Sequence, residues 1–479
     1  MDREIELFIQ DFLKEIREDS AAIFAGAGLS APAGFVNWRE LLRPIAEELC
    51  LDVDHEHDLV AVAQYHCNEN GGNRHKLSQL VIEQFTVGFV PTNNHKILAH
   101  LPISTYWTTN YDQLIETALK NAGKIADVKY VTEQLATTKS RRDAVVYKMH
   151  GDVEHPHEAV LIKDDYEKYH IKRGAFINAL SGDLVSKTFL FIGFSFTDPN
   201  LDYILSRVRV NFQENQRRHY CILKQRMKQS DESDADFENA QIKQRLAVED
   251  LKRFNIKTLL INEYSQITAI LGRIEQLYRQ RTIFISGSAE EYGSWTKSDT
   301  EVFLRDLSRA LVQKGFRIAT GVGLSVGDAV ITGAIEEVYR ARTGHIEDSL
   351  IMRPFPRANS DPIVRKQLWE SYRQELISSA GVCVLVLGNK KVGDDIVLVD
   401  GVRREFQIAV DHGLSVVPIG ATGYMARELW NEVAGSIEEY YPGANSEFND
   451  KFNQLGNEAA KPVALISRIL DFLTIITKE

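Results

Sequence analysis

Cysteine is scarce in this chain, with Cys50, Cys67, Cys221 and Cys383 the four present. None forms a CxxC pair, which excludes a readable disulfide framework or zinc ribbon and fits a reducing cytoplasm. No apolar run approaches the roughly 20 residues that cross a bilayer. The opening MDREIELFIQDFLKEI mixes acids with apolar residues at helical spacing, unlike the basic start and unbroken apolar stretch of a secretory signal. The expectation is a cytoplasmic protein with no membrane partner. Positive charge is also short: 56 Lys and Arg stand against 67 Asp and Glu, a net charge of -11. That excess of acid argues against nucleic acid as a partner, since its binders concentrate basic residues on one face. There is no GxxxxGK[ST], so a P-loop ATPase is unsupported, and no internal repeat or low-complexity tract is present.

What is present belongs to a globular α/β protein. A chain of 479 residues is too long for one hydrophobic core, so two domains are expected. Hydrophobic residues at 44% and charged residues at 26% suit compact folding. Short apolar runs alternate with amphipathic stretches, the pattern of parallel sheets flanked by helices. The candidate strands are AAIFAGAG (21–28), ISTYWTTN (103–110), AVVYKMHG (144–151), TFLFIGFS (188–195) and HYCILK (219–224). Residues 225–249 are polar and acid-rich and read as an exposed loop feeding a helix. Ile267, Ile270, Leu271, Ile274 and Leu277 predict a helix over 264–278, after which the βα pattern restarts with TIFISGSA, FRIATGVG, GVCVLVLGN and LSVVPIGATG. We read two Rossmann-like domains, 1–279 and 280–479, the second the smaller.

Polar motifs follow the strands of the first domain, where doubly wound sheets bind ligands. Gly26-Ala27-Gly28-Leu29-Ser30 lets backbone approach a pyrophosphate near a helix N-terminus, though a glycine pair after a strand is also an ordinary turn. In Thr108-Thr109-Asn110-Tyr111-Asp112, helix capping explains Asp112 better than Asn110. Lys148-Met149-His150-Gly151-Asp152 places a histidine, the usual proton handler, at a strand end, where histidines also serve structurally. The last stretch, Gly193-Phe194-Ser195-Phe196-Thr197-Asp198-Pro199-Asn200, is in part a plain turn with an Asp/Pro helix start.

In type and order these four motifs resemble the sirtuin family over roughly residues 10–260. The resemblance implies NAD+ as substrate, with Gly26, Ala27, Gly28 and Ser30 on the dinucleotide and Asn110 and Asp112 at the nicotinamide ribose. It further implies His150 beside the ribose hydroxyls, and Gly193 and Ser195 completing the site, Ser195 towards adenosine. Departures matter too. The zinc cysteines of protein-deacylating sirtuins are missing, so no metal is expected. The GIPDFR stretch becomes Gly34-Phe35-Val36-Asn37-Trp38-Arg39, which keeps the arginine and loses the aspartate. What survives is the machinery for expelling nicotinamide from an oxocarbenium-like ribose. If water completes that step the products are nicotinamide and ADP-ribose, with Asn110 and His150 catalytic. An NAD-dependent protein deacylase and a non-catalytic nucleotide-binding module are the alternatives.

In the second domain, Ile285-Ser286-Gly287-Ser288-Ala289 and Thr320-Gly321-Val322-Gly323-Leu324-Ser325-Val326-Gly327 can each cradle phosphate. Arg353, Arg373 and Lys390 supply positive charge near element ends or lie as solvated surface charges. The segment resembles the SLOG family of nucleotide-sensing domains, related to phosphoribohydrolases whose PGGxGTxxE motif corresponds here to Asp400-Gly401-Val402-Arg403-Arg404-Glu405. Loss of most of that motif leaves ligand binding, with Glu405 accepting from ribose hydroxyls.

A sirtuin-type domain followed by a SLOG domain resembles the NADase effectors of the Thoeris anti-phage defence system. This resemblance implies a homotetramer whose NAD+ hydrolysis is switched on by a cyclic ADP-ribose isomer made by a TIR-domain partner. Ser286, Gly287, Gly323, Arg373, Lys390 and Glu405 are then the signal-binding set.

Overall fold

Apolar runs of five residues bounded by small or polar ones become buried parallel strands, and their carboxyl ends carry the motifs read from sequence. The computed structural model describes residues 2–86, 88–196, 198–230, 232–323, 325–342, 345–353, 361–457 and 462–477. Thr197 and Leu324 of the motif stretches lie outside them, as do Pro354, Phe355 and Pro356 after Arg353. The chain divides into two units, Met1–Glu275 and Gln276–Glu479.

The strands of the first unit are β1 (Ala21–Ala25), β2 (Thr105–Thr108), β3 (Ala126–Lys129), β4 (Ala144–Lys148), β5 (Thr188–Ile192), β6 (His219–Lys224) and β7 (Ile256–Ile261). They form one seven-stranded sheet in the order β3-β4-β2-β1-β5-β6-β7, with every neighbouring pair parallel. Both central strands, AAIFA and TFLFI, are buried at every position, as strands covered by helices on both faces must be. Phe24 pairs in register with Trp107 on one side and Phe191 on the other. The chain lays β2, β3 and β4 on one side of β1 and β5, β6 and β7 on the other. Strand order therefore reverses at β1, the place where open α/β sheets leave a crevice for ligands.

The sequence reading did not include the outermost strands, β3 and β7. In β3 the run ADVK is short and charged, and it is held by an ion pair of 2.8 Å between the buried Asp127 and Lys129. On β7, at the opposite edge, Leu260 is exposed, so neither strand shows a long buried run. The polar stretch after β6 turns helical at Asp234 and runs to Leu251, so the helix begins inside the region expected as loop. Its first amides are capped by Ser233, whose hydroxyl accepts from the Asp236 amide. Only Leu251 of this helix is buried. The helix expected over 264–278 spans Ser265–Gln280.

In the second unit β8 (Thr282–Ser288), β9 (Arg317–Thr320), β10 (Leu350–Met352), β11 (Val382–Leu387) and β14 (Ser415–Pro418) build a five-stranded parallel sheet, β10-β9-β8-β11-β14. An antiparallel hairpin, β12 (Asn389–Val392) with β13 (Asp395–Leu398), follows β11. Here too the order reverses at the first strand, β8, which ends in the Ser286-Gly287 motif. Helices Lys297–Gln313 and Gly327–Ala341 pack so tightly that a methyl group at Gly333 would sit 2.0 Å from the carbonyl oxygen of Arg305. In an open helix a Gly→Ala change gains about 1 kcal/mol. At Gly333 the sign should invert: Gly333→Ala should lose roughly 1–3 kcal/mol through overpacking. Chemical denaturation of the full chain measures it, and an unchanged or raised midpoint would contradict this close crossing.

Candidate functional site

The turns after β1 and β5 are built against each other, backbone to backbone. Gly26 N–H donates to Ile192 O and Gly28 N–H to Gly193 O, both at 2.9 Å. A methyl group would lie 2.3 Å from Gly193 O at Gly26, 2.8 Å from Gly193 Cα at Gly28, and 2.2 Å from Leu29 N at Gly193. Gly193 also adopts φ +65°, a conformation that suits glycine. With the Gly26 and Gly28 amides committed internally, what these glycines contribute is close approach of two strand ends, not free donors for a pyrophosphate. Ala27, Gly28, Ser30, Gly193 and Ser195 all line the cavity that opens beside them.

Asn110 reaches across from the end of β2. Its Nδ2 donates to Gly26 O and Ser30 Oγ, each at 3.1 Å, and its own amide is held by Thr108 Oγ1. Both side-chain hydrogens are thus engaged, and the carboxamide keeps its oxygen as an acceptor. Asp112 is buried; its Oδ1 accepts from the Leu114 amide at 3.0 Å. Its Oδ2 is buried with no hydrogen-bond partner among the described residues. Behind it His95 is kept neutral, its pKa lowered to about 4 by burial against the opposing pull of Asp112.

The loop after β2 is pinned by Lys148, which has no exposure at the end of β4. Its Nζ donates to Tyr111 O at 3.1 Å and Asp112 O at 2.5 Å, lies 3.2 Å from Glu116 Oε1, and pairs with Asp152. Burial works against the ammonium, but Glu116 and Asp152 hold its pKa above the ordinary lysine value. Burial likewise pushes the Glu116 carboxyl up, against the pull of Lys148.

Two residues beyond Lys148, His150 is buried with Nε2 2.9 Å from Asp198 Oδ2. The Tyr166 ring packs edge to face on its imidazole, centroids 5.5 Å apart. Burial opposes ionisation of Asp198, but the charge of His150 and the amides of Leu201 and Asn200 outweigh it and hold the carboxyl below its usual range. The cavity shared by these groups has a volume of ≈ 410 Å³. Its polar side carries Asn110, Asp112, His150 and Asp198, and its apolar wall comes from Phe35, Val36, Trp38, Leu41, Phe85 and Tyr111. Arg39, kept from the GIPDFR pattern, turns instead to the carbonyls of Val53 and Glu56 and fixes that loop.

In the second unit the sequence-chosen residues also converge. Ser286 Oγ donates to Glu405 Oε2 at 2.6 Å, and Arg373 Nε donates to Glu405 Oε1 at 3.2 Å. Burial pushes the Glu405 carboxyl up while Ser286 and Arg373 draw it back. Gly323 presses on the last residues of β8, where a methyl group would lie 2.1 Å from Gly287 O. Lys390 is exposed on β12.

Sequence reasoning missed the roles of Lys148, Glu116, Asp152 and Asp198. Lys148 and Asp152 stood in the histidine motif itself, and a lysine ending an apolar strand run is the signal that was available. For Asp198 the Asp-Pro helix start was correct but incomplete, since capping uses one carboxylate oxygen.

Comparison with known proteins agrees with this layout. Residues 104–247 match the SIR2-like domain family, and residues 266–476 match the Sir2- and TIR-associating SLOG family. Three curated relatives, each called NAD(+) hydrolase ThsA, come from Bacillus cereus, Acinetobacter baumannii and Cytobacillus dafuensis. They are 54%, 49% and 46% identical, over 99%, 99% and 98% of this chain and 98%, 100% and 96% of their own lengths.

Removing the buried cation tests the site's scaffold. Lys148→Met should leave Glu116 and Asp152 unpaired in the interior and lower stability by about 3–5 kcal/mol, the usual result of halving a buried ion pair. Denaturant titration reads this directly, and a loss under about 1 kcal/mol would deny Lys148 its pinning role.

Proposed function

The chain belongs to the NAD(+) hydrolase ThsA family, and from that premise we propose that it cleaves NAD+ to nicotinamide and ADP-ribose in its sirtuin-type half, residues 1–279. The observation that carries this reading is the cavity at the carboxyl ends of β1, β2, β4 and β5, which Asn110, Asp112 and His150 line together. Loss of nicotinamide leaves positive charge on the ribose, and the cavity supplies carboxylates with no lysine or arginine among its lining residues. Such preorganised charge stabilises a developing cation more strongly in a dry site than in water. Asn110, its amide hydrogens tied to Gly26 and Ser30, offers its oxygen to the attacking water. His150 takes a proton from that water, a role typically worth about 10²- to 10⁴-fold. The overall change is NAD+ plus water to nicotinamide, ADP-ribose and one proton. Ala27, Gly28, Ser30, Gly193 and Ser195 line the path for the rest of the dinucleotide, with Gly26 shaping it. The reaction uses no metal.

The SLOG-type half, residues 280–479, senses a cyclic ADP-ribose isomer made by a TIR-domain partner. Arg373 and Lys390 engage its pyrophosphate, Glu405 and Ser286 its ribose hydroxyls, and the backbone at Gly287 and Gly323 lies against it. The setting is a cytoplasmic homotetramer that depletes NAD+ during phage infection. Among the described residues no helix is long and apolar enough to cross a membrane.

Nicotinamide release from NAD+ by the full-length protein, with and without cyclic ADP-ribose and its linkage isomers and with no peptide present, tests the reading. We expect release that rises with one isomer and falls at least about 10²-fold in Asn110→Ala, with the circular dichroism of a folded chain. No release from folded protein in any condition would overturn it. The sensing half is tested by Arg373→Ala, which should raise the isomer concentration for half-activation at least about tenfold, the equivalent of about 1.4 kcal/mol. An unchanged midpoint would remove Arg373 from the signal site.

A further inference from the structure

The β12–β13 hairpin stands outside the five-stranded sheet, and two strands alone are marginal in water, so its root has to be fastened to the body of the unit. Among the strand residues of the hairpin only Asn389 is buried, with no exposed surface. Its carboxamide reaches the stretch that leaves β8. Oδ1 accepts from the amides of Glu290 and Glu291, both at 2.9 Å, and Nδ2 donates to Glu291 O at 2.8 Å. Those partners also fix which way the amide points, because a backbone N–H only donates and a carbonyl only accepts. Main-chain contacts continue the seam: Gly388 N–H donates to Ser288 O at 3.0 Å, and Ser288 Oγ donates to Asn389 O at 3.2 Å. Leucine would fill a similar volume and leave two amides and a carbonyl without partners. Aspartate would accept twice but leave Glu291 O without a donor, and it would set a negative charge next to Lys390 in the chain.

The two segments joined by this side chain are segments from which the signal-binding set was drawn. Ser286 and Gly287 lie in β8 just before the captured stretch, and Lys390 follows Asn389 directly. We infer that Asn389 is a positioning residue for signal binding, locking the end of β8 to the hairpin root so that Ser286, Gly287 and Lys390 meet the cyclic ADP-ribose isomer as one preformed surface. The inference rests on the assignment of that signal to the SLOG-type half. What Asn389 changes is the ordering cost of binding. Without it the ligand has to order the hairpin root as it docks, and every segment immobilised on binding subtracts from affinity. An exposed lysine loses entropy when it holds an anion, and a fixed root lessens that loss.

The test uses the full-length chain. Calorimetric titration first ranks cyclic ADP-ribose and its linkage isomers on the wild type, and the tightest binder is carried forward. Asn389→Ala should bind that isomer with a Kd about tenfold above wild type, while the KM for NAD+ at saturating isomer moves less than about twofold. A merely structural role would lower the melting temperature or the folded yield and leave the Kd per folded molecule unchanged. Hydrogen exchange on the wild type gives a second reading: on adding the isomer, peptides covering 286–291 and 388–398 should gain protection together. Wild-type Kd in folded Asn389→Ala would overturn the inference. Protection confined to one of the two segments, or gained by neither, would overturn it as well, a result that stands even if the variant fails to fold. A wild type that binds none of the isomers would instead strike the sensing reading itself, so binding by the wild type tells the two failures apart.

Discussion

Lys148 carries a charge where the protein admits no solvent, and a buried ammonium is tolerated only when other groups replace its water. Here the replacements are two carboxylates, Glu116 and Asp152, and the carbonyls of Tyr111 and Asp112. Those carbonyls lie in the loop that presents Asn110, and Lys148 itself lies two residues before His150. One ion therefore sets the distance between the groups proposed to divide the chemistry. A hydrophobic residue of similar size would pack, and such replacements are often neutral or stabilising when the whole ionic group is exchanged. What the ion supplies is direction. Its donors accept only one arrangement of the β2 and β4 loops, and a greasy contact would accept several.

The second constraint is steric. Glycine at 26, 28 and 193 allows the turns after β1 and β5 to meet at backbone distance, which closes the reversal point of the sheet on one side and leaves the cavity open on the other. The same turn offers Gly26 O to Asn110, so the tight turn and the fixed amide are one device. A sheet order that reverses at β1 produces the crevice, the glycines narrow it, and Lys148 orients what points into it.

How much of this was legible in the sequence follows from what each feature depends on. Central strands such as AAIFA and TFLFI announce themselves because both faces are buried and every residue is apolar. The motifs at their ends were legible as residue types, and Asn110 with His150 were chosen because the four motifs together resemble the sirtuin family in type and order. The edge strands ADVK and IKTLLI were not, because a strand with one partner keeps polar and exposed positions. Pairings across distance were also out of reach. Nothing local ties Lys148 to Glu116 or Asp198 to His150, since those contacts exist only once β2, β4 and β5 lie in their sheet. The glycine amides show the opposite error, for a turn that looks like a phosphate cradle has already given its donors to Ile192 and Gly193.

The second unit sets a harder problem for any ligand, because its polar groups already satisfy one another. Glu405 is buried, which pushes its carboxyl pKa up, and its two oxygens accept from Ser286 and Arg373. A pyrophosphate that draws Arg373 away leaves that carboxylate short of a donor, so much of the gain from the new ion pair is offset unless the same ligand returns hydrogen bonds to Glu405. Ribose hydroxyls do this, and a phosphate alone does not. Lys390, exposed on β12, gives up only water when it meets an anion, yet exposed pairs contribute about 1 kcal/mol or less. Taking a sensor from about 1% to 99% active needs roughly 5.5 kcal/mol of differential affinity. Neither cation meets that requirement separately. A ligand presenting anion and sugar hydroxyls in a fixed geometry, as a cyclic nucleotide does, can exchange the Glu405 contacts without loss and add the Lys390 contact on top. Under the proposed reading, selection against simple anions follows from the burial of one carboxylate.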